Sequence, residues 1–309
     1  MPRRECRAVC LLAPAKVNLF LEILGKRPDG FHELETFMVA VDLYDRLECE
    51  LDESGSLVVE CDTPEVPAGS ENLVWKAAEV LRQATACRWG ARIRLLKRIP
   101  LQAGLAGGST DAAATLKALN RLWNLELPTS ELARLGASLG SDVPFFFAPG
   151  AAWCTGRGET VEPWFMRQPL HLVLICPGFG LSTPAVYGRL QVPATPQSSR
   201  AMRHALSLAD PEQLGQCLHN RLQEPAESLA PVLRRFLERV AQERPAGYVM
   251  SGSGSAVVAL CRDRSEAIRV AKSLRADIME SSWLTAATSQ LPALRAGSHV
   301  QVHVVRSCP

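Results

Sequence analysis

The sequence predicts an α+β protein of two domains, and three observations support this fold class. Apolar and polar residues alternate before residue 62, as in β-strands, whereas apolar residues recur at helical spacing after residue 107. The pattern changes again around residues 163–169, and a new buried strand is expected at residues 171–176. A chain of 309 residues with 47% hydrophobic content is long enough to bury two modest cores. We therefore predict domains at residues 1–166 and 167–309.

Alternating apolar residues predict four strands in the first third of the chain. They lie at residues 11–25, 39–51, 57–61 and 91–96, with a helix expected at residues 71–86. The second and third strands are expected to pair through a turn at residues 52–55. Lys16 and Asn18 are polar positions near the start of the first strand. A lone lysine there is usually a solvated surface charge, so these two residues alone do not indicate a site.

A glycine-rich segment at residues 100–110, PLQAGLAGGST, leads from the fourth strand into an alanine-rich helix that is expected to end near Asn124. Its glycines can adopt positive φ and leave backbone N–H groups free to surround an anion. Ser109 is the predicted N-cap of the helix, and Asp111 is expected in the first turn. A phosphate would then meet the helix N-terminus. The segment matches neither a Walker A loop nor G-x-G-x-x-G, and on these residues alone a glycine turn that only packs the helix is an equal alternative.

A second candidate position follows the turn at residues 28–30, Pro-Asp-Gly, which presents Phe31 and His32. A planar ligand can stack on Phe31 while His32 hydrogen-bonds it, although a core aromatic and a surface histidine is the favoured interpretation of these two residues alone. His32 begins a sequence like the zinc motif H-E-x-x-H, but Thr36 replaces the second histidine. We therefore predict no protein-held metal site.

The second half of the chain contains one unusual carboxylate and a second glycine loop. Asp142 lies between a Gly-Ser pair and a nearly continuous apolar run, where it either caps the next turn or belongs to a site. The second glycine loop lies within residues 249–260 and leads into a buried strand. Helices are expected at residues 129–139, 211–223, 227–244 and 265–275.

Bulk composition argues against several classes of partner. The formal net charge is +2 and no long basic run is present, so we expect no nucleic-acid or membrane partner. The ten cysteines include no C-x-x-C pair, and several lie in apolar strand-like runs, as reduced buried thiols do. The apolar run at residues 8–13 is shorter than the roughly 7 to 15 residues of a signal-peptide core. We expect a cytoplasmic protein without a disulfide framework.

Two glycine loops, a cation at a strand start and a carboxylate in a semi-apolar turn are together the components that phosphoryl transfer requires. The same residues resemble the GHMP kinases. PLQAGLAGGSTDAAATL resembles the central motif of that family, and MSGSGSAVVAL resembles its third motif. PAKVNLFLEILGKRPDGFHELET and LGSDVPFF resemble the branch whose small-molecule substrate carries cytidine diphosphate. The resemblance covers roughly residues 10–290, with the four motifs in the expected order.

This resemblance implies an ATP-dependent kinase that phosphorylates a hydroxyl group of that substrate, with Mg²⁺ bound mainly through the phosphates. It also implies the two-domain GHMP kinase fold, with the active site between the domains. The N-terminal domain would be like the second domain of ribosomal protein S5, and the C-terminal domain would be ferredoxin-like and carry the third glycine motif. Two alternatives stay open: a GHMP kinase for another small alcohol such as mevalonate or homoserine, and a non-catalytic binding module. The resemblance leaves the oligomeric state unknown.

The resemblance further implies roles for individual residues. The implied catalytic residues are Lys16 and Asp142, the latter as the base. The implied substrate-binding residues are Asn18, near the reacting hydroxyl, and Phe31, His32 and Tyr187, around the cytosine. The implied ATP-binding residues, of which Ser109 or Thr110 would lie near Mg²⁺, are Pro100, Leu101, Gln102, Ala103, Gly104, Leu105, Ala106, Gly107, Gly108, Ser109 and Thr110.

Three features depart from the family pattern. Thr110 stands where a second serine is usual, and its hydroxyl is kept, so we expect the change to be tolerated. Ala106 replaces a frequent glycine and restricts the loop slightly. Residues 297–309 extend past the resemblance as an additional tail, in which Val300, Val302 and Val304 alternate like those of an added edge strand.

Overall fold

Two β-sheets with helices packed on them form the protein, as the α+β prediction requires. The structure is a computed structural model that describes residues 7–280 and 299–308. Residues 297, 298 and 309 of the predicted tail therefore lie outside the described residues. The larger sheet has seven strands and the smaller has four.

The larger sheet is built around a long antiparallel hairpin of its first two strands. The strands of this sheet are β1 (Ala8–Lys26), β2 (His32–Asp52), β3 (Leu57–Cys61), β4 (Gly90–Leu96), β5 (Ala151–Thr155), β6 (Thr160–Pro163) and β8 (His219–Asn220). Their order is β3-β4-β2-β1-β8, and β5 pairs with both β2 and β6. The predicted pairing of the second and third strands through residues 52–55 was wrong, because β4 lies between β2 and β3 and pairs with β3 in parallel. Alternation shows that a strand has a buried face, but it does not identify the neighbouring strand.

Three helices cover one face of this sheet. They are α1 (Leu73–Thr85), α2 (Gly107–Leu122) and α3 (Thr129–Leu139). The alanines of α2 are buried in the main core cluster, and their small side chains allow the helix to lie close to the sheet. At its C-terminal end Trp123 donates a 3.0 Å hydrogen bond from its indole to the Gly90 carbonyl oxygen at the start of β4. The C-terminal end of the helix that follows the glycine-rich segment is therefore fixed to the sheet.

The smaller sheet is antiparallel and has the order β11-β7-β10-β9. Its strands are β7 (His171–Cys176), β9 (Gly247–Met250), β10 (Val257–Cys261) and β11 (Gln301–Arg306). The helices of this half are α4 (Thr183–Arg189), α5 (Arg200–Leu208), α6 (Pro211–Gln216), α7 (Gln223–Leu229), α8 (Val232–Gln242) and α9 (Arg264–Glu280). The added edge strand predicted for the tail is confirmed as β11, in which Val302 is buried and Val304 is exposed.

The two helices predicted at residues 211–223 and 227–244 are interrupted in the structure. The first ends at Gln216, and β8 follows it and pairs in parallel with β1 of the larger sheet. The second is divided at Ala230 and Pro231, between α7 and α8. The predicted domain division after residue 166 falls between β6 and β7 and stays a prediction, since β8 returns the chain to the first sheet.

Every cysteine in the part of the chain that the structure describes is a free thiol, and Cys49, Cys154 and Cys176 are buried. Burial raises the pKa of each of these three thiols to about 12, so they stay protonated at neutral pH. No helix within residues 7–280 or 299–308 is long and apolar enough to cross a bilayer.

Candidate active site

A cavity of about 940 Å³ is lined by both glycine loops, by β1 and by the turn after it. It brings together most of the residues that the sequence singled out: Lys16, Asn18, Phe31, His32, Pro100, Gln102, Ala103, Gly104, Ala106, Gly107, Gly108, Ser109, Asp142 and Tyr187. Three predicted ATP-binding residues do not line it. Leu105 is buried in a core cluster, Leu101 is 40% exposed, and Thr110 is buried in the first turn of α2. In this glycine-rich segment, the larger apolar side chains point away from the cavity.

The first glycine loop reaches its helix through three positive-φ residues at alternate positions. Gln102, Gly104 and Ala106 have φ of 52°, 77° and 55°. Ala106, in the left-handed region, is the N-cap of α2, so the predicted N-cap at Ser109 was wrong. Ser109 lies instead in the first turn and lines the cavity. The helix starts at Gly107, so its first free amides belong to residues that line the cavity.

Asp111 does not serve as a first-turn charge for α2. It is buried and forms an ion pair with Lys97 at 2.7 Å, and Lys97 also pairs with the buried carboxylate of Asp45. Burial raises the pKa of Asp111 to about 7, although the Lys97 charge opposes this shift. The backbone amide of Ile99 donates to Asp45 at 2.9 Å. This buried triad therefore ties β2, the end of β4 and the start of α2 together beneath the glycine loop.

The two glycine loops lie in direct contact. A Cβ atom on Gly104 would lie 2.1 Å from the Ser251 carbonyl oxygen, so a larger residue does not fit there. The Ser251 hydroxyl donates to the Gly104 carbonyl oxygen at 3.0 Å, and the Ala256 amide donates to Ala103 at 3.0 Å. The Asn220 side-chain amide donates to the Met250 and Gly252 carbonyl oxygens, each at 2.7 Å. The backbones of both loops are thus held in one rigid arrangement at the cavity floor.

Lys16 and Asp142 face each other across the cavity. Their Nζ and Oδ2 atoms are 3.7 Å apart, with side-chain exposures of 4% and 37%. The Lys16 ammonium also donates to Asn18 Oδ1 at 2.5 Å and to the Gly104 carbonyl oxygen at 3.1 Å. Asn18 is fixed in turn by a 2.8 Å bond from its amide to the Thr36 hydroxyl. Lys16 is therefore a buried, positioned cation, not a solvated surface charge.

Phe31, His32 and Tyr187 form an aromatic pocket within the same cavity. The His32 and Tyr187 rings have centroids 5.0 Å apart at an interplanar angle of 36°. Phe31 is 48% exposed and presents one face to the cavity. Burial, followed by the charge of Lys26, lowers the pKa of His32, so its ring is neutral at pH 7. Exposed aromatic faces beside a neutral imidazole suit a flat, polar heterocycle.

Sequence reasoning missed several residues of the site. Arg157 lines the cavity from the turn between β5 and β6, and its guanidinium carbon lies 5.0 Å from the centroid of the Phe31 ring. The signal available in the sequence was the arginine between two glycines in Thr-Gly-Arg-Gly-Glu. Asn220 was missed because it lies in a segment with helical spacing, and Lys97 because its two partners are distant in sequence.

Two hydroxyl groups in the first turn of α2 are the candidate metal ligands of this site. Within the described residues, no group of three or more His, Cys, Asp or Glu side chains is arranged to hold a metal ion. Thr110 Oγ1 is buried and has no hydrogen-bond partner among those residues, although it lies directly behind the glycine loop. The unpartnered Thr110 hydroxyl and the hydroxyl of the half-buried Ser109, which lines the cavity, are oxygen ligands of the kind that Mg²⁺ accepts.

Comparisons with known proteins agree with this geometry. The chain matches family models described as "GHMP kinases N terminal domain" over residues 72–150 and "GHMP kinases C terminal" over residues 202–278. The 4-diphosphocytidyl-2-C-methyl-D-erythritol kinase of Brevibacillus brevis is 41% identical over 269 residues, which are 86% of this chain and 92% of the relative. The protein of the same name from Pelotomaculum thermopropionicum is 42% identical, over 86% of this chain and 94% of its own length.

Structural comparison leads to the same family. A crystal structure of 4-(cytidine 5'-diphospho)-2C-methyl-D-erythritol kinase matches with a TM-score of 0.76 and 33% identity, over 97% of this chain and 100% of that chain. The predicted two-domain GHMP kinase fold is thereby confirmed. The chain belongs to the GHMP kinase family, within the group that contains the 4-diphosphocytidyl-2-C-methyl-D-erythritol kinases.

Proposed function

We propose that the protein transfers the γ-phosphoryl group of ATP to the 2-hydroxyl of 4-diphosphocytidyl-2-C-methyl-D-erythritol, in the non-mevalonate route to isopentenyl diphosphate. The observation that carries this proposal is the position of the Lys16–Asp142 pair, 3.7 Å apart, in the same cavity as the glycine loops and the aromatic pocket. One cavity thus offers the glycine loops for the phosphate donor, the Lys16–Asp142 pair for the reacting hydroxyl and the aromatic pocket for the nucleobase.

The donor side is formed by the first glycine loop and the start of α2. Backbone N–H groups of this loop and the helix N-terminus would bind the ATP phosphates, because they offer unpaired donors and a partial positive charge. The third glycine motif, around Gly252, would approach the same phosphates without a side chain in the way. Mg²⁺, when bound, would neutralise charge on the phosphate oxygens, and Ser109, which lines the cavity, would hold it.

The acceptor side is formed by Lys16, Asn18 and Asp142. Asp142 would orient the 2-hydroxyl and receive its proton as the oxygen bonds to the γ-phosphorus and the bond to the ADP oxygen breaks. Lys16 would stabilise the negative charge that develops on that oxygen. Asn18 would hydrogen-bond the substrate beside it. The cytosine would stack between Phe31 and Tyr187, with His32 as its hydrogen-bond partner.

An assay of ADP release from Mg-ATP tests this reaction directly. We expect turnover with 4-diphosphocytidyl-2-C-methyl-D-erythritol and none with mevalonate, homoserine or galactose. Turnover with one of the other alcohols alone would refute the cytosine pocket and keep the kinase assignment. Absence of turnover with all four alcohols would refute the kinase assignment and favour a binding module.

Three variants test the assigned roles. Asp142→Asn should lower kcat by about 10²- to 10⁴-fold, the usual contribution of a positioned acid or base, with unchanged thermal unfolding. Lys16→Met should also lower kcat, and an effect on KM alone would contradict its catalytic role. His32→Ala should raise KM for the cytidine substrate and leave KM for ATP unchanged; an unchanged KM for the cytidine substrate would remove His32 from the pocket.

We also propose a cellular compartment for the protein. The free cysteines of the described residues, several of them exposed or half-buried, are compatible with a reducing environment. We therefore place the enzyme in the cytoplasm, and recovery of its activity in the soluble cytoplasmic fraction would test this.

A further inference from the structure

We propose that Arg157 binds the diphosphate group of the cytidine-bearing substrate, an assignment that rests on the function proposed above. The residue lies between the two ends of the site that the substrate must span. Its guanidinium stacks over Phe31 at 5.0 Å, and the next residue, Gly158, lines the cavity beside Asp142. A Cβ on Gly158 would lie 3.9 Å from Asp142 Oδ1. In a substrate whose base lies at Phe31 and whose reacting hydroxyl lies at Asp142, the group that connects the two therefore lies beside Arg157.

The charges that line the cavity support the same assignment. Among the described residues that line it, the side chains that are cationic at neutral pH are Lys16 and Arg157, and the acid is Asp142. Lys16 is already engaged by Asp142, Asn18 and the Gly104 carbonyl oxygen. A bridging diphosphate carries about two negative charges at neutral pH, and these need a cation or several donors when they leave water. Arg157 is the cation whose position and remaining donors meet that need.

The turn that carries Arg157 is built to present it. Gly156 and Gly158 have φ of 72° and 111°, which places the arginine at the tip of the β5–β6 connection. The Arg157 amide donates to Glu159 Oε2 at 2.7 Å, and its Nε lies 3.7 Å from Glu159 Oε1. One terminal nitrogen donates to the Ala137 carbonyl oxygen at 2.8 Å. A guanidinium has five N–H donors in a planar fork, so these contacts fix its orientation and leave donors for phosphate oxygens.

The test separates diphosphate binding from cytosine binding in the full-length enzyme. We would measure KM for 4-diphosphocytidyl-2-C-methyl-D-erythritol and for ATP, and the inhibition constants of CDP and of cytidine against the cytidine substrate. Arg157→Gln should raise KM for that substrate and the inhibition constant of CDP by about 10- to 100-fold, as expected for loss of a charge-assisted hydrogen bond. The inhibition constant of cytidine and KM for ATP should stay within about twofold.

Two further variants make the result specific. Arg157→Lys keeps the charge but not the fork, so it should recover part of the CDP affinity. Arg88→Gln is the matched control, because Arg88 also stacks on an aromatic ring, Trp89 at 4.5 Å, and does not line the cavity. It should leave all four constants unchanged.

Several outcomes would overturn the assignment. Unchanged CDP inhibition in Arg157→Gln would remove Arg157 from the diphosphate site, while wild-type turnover of the cytidine substrate would leave the proposed function intact. Equal weakening of CDP and cytidine would mean that Arg157 only supports the Phe31 ring. If the wild-type enzyme does not turn over the cytidine substrate, the proposed function fails and the diphosphate assignment fails with it.

Discussion

The Glu22 side chain connects the two halves of the protein through hydrogen bonds, and the effect of replacing it by glutamine can be predicted quantitatively. This β1 carboxylate is fully buried and accepts two 2.8 Å hydrogen bonds from Arg221, in the segment that follows β8. The Gln197 and Ile23 amides also donate to it, at 2.8 and 2.7 Å, and the His219 ring lies 3.1 Å away. Burial raises the pKa of Glu22, but these hydrogen bonds and the Arg221 charge outweigh burial and lower it from 4.5 to about 2.

A depression of this size corresponds to about 3 kcal/mol of folding free energy. Because the folded-state pKa is below the unfolded value, the contribution is complete above pH 4.5 and is lost as pH falls towards 2. Glu22→Gln should therefore lower the free energy of unfolding by about 3 kcal/mol at pH 7 and by only about 1 kcal/mol at pH 3. Urea denaturation followed by far-UV circular dichroism at the two pH values measures both differences.

Glu35 offers a matched control, since it lies opposite Glu22 in the β1–β2 register. Its carboxylate is 19% exposed and contacts Arg203 and Ser199. Glu35→Gln should cost at most about 1 kcal/mol, as expected for a partly solvated pair. Equal losses in the Glu22 and Glu35 variants, or a Glu22→Gln loss that is the same at pH 7 and pH 3, would refute the assignment of this stability to the ionised, buried carboxylate.

Two further predictions concern the support of the glycine loops. Lys97→Met leaves two buried carboxylates without a cationic partner. This variant should lower the free energy of unfolding, measured by urea denaturation, by about 3–5 kcal/mol. The control is Arg98→Met at the neighbouring, exposed arginine, which should lower it by less than about 1 kcal/mol. Gly104→Ala places a methyl group 2.1 Å from the Ser251 carbonyl oxygen. This variant should lower kcat/KM for ATP by at least about tenfold in steady-state kinetics. The control is Gly69→Ala, which has open space around the added methyl group and should match the wild type. Similar values for each pair of variants would contradict the packing argument.

Much of the fold was predictable because its signals are local. Residues 57–61, 129–139 and 171–176 form the predicted elements with the predicted bounds, since alternation and helical spacing are properties of the segment itself. The glycine loop was also recognisable, because the backbone of Gly104 lies so close to the Ser251 carbonyl oxygen that a residue with a Cβ does not fit there.

Pairing and electrostatic contacts between distant segments were not predictable in this way. The position of β4 between β2 and β3 depends on tertiary packing that alternation does not encode. The sequence position of Asp111 predicted an acid that stabilises the helix dipole. Asp111 instead forms a buried ion pair with Lys97, fourteen residues earlier, which also pairs with Asp45 across the sheet. Lys16 is the clearest case, because the general preference of lysine for solvent was outweighed by three acceptors brought together by folding.

The contacts of Lys16 also explain how donor and acceptor sites can be held at a fixed separation. Its ammonium donates to the Gly104 carbonyl oxygen, which accepts from the Ser251 hydroxyl as well, so one atom of the first glycine loop is bound by both β1 and the third motif. The same ammonium pairs with Asp142. If the protein has the proposed function, a displacement of either glycine loop would therefore move the cation that faces the reacting hydroxyl. Because transfer between two bound substrates depends on positioning, this shared contact would couple ATP binding to the orientation of the acceptor.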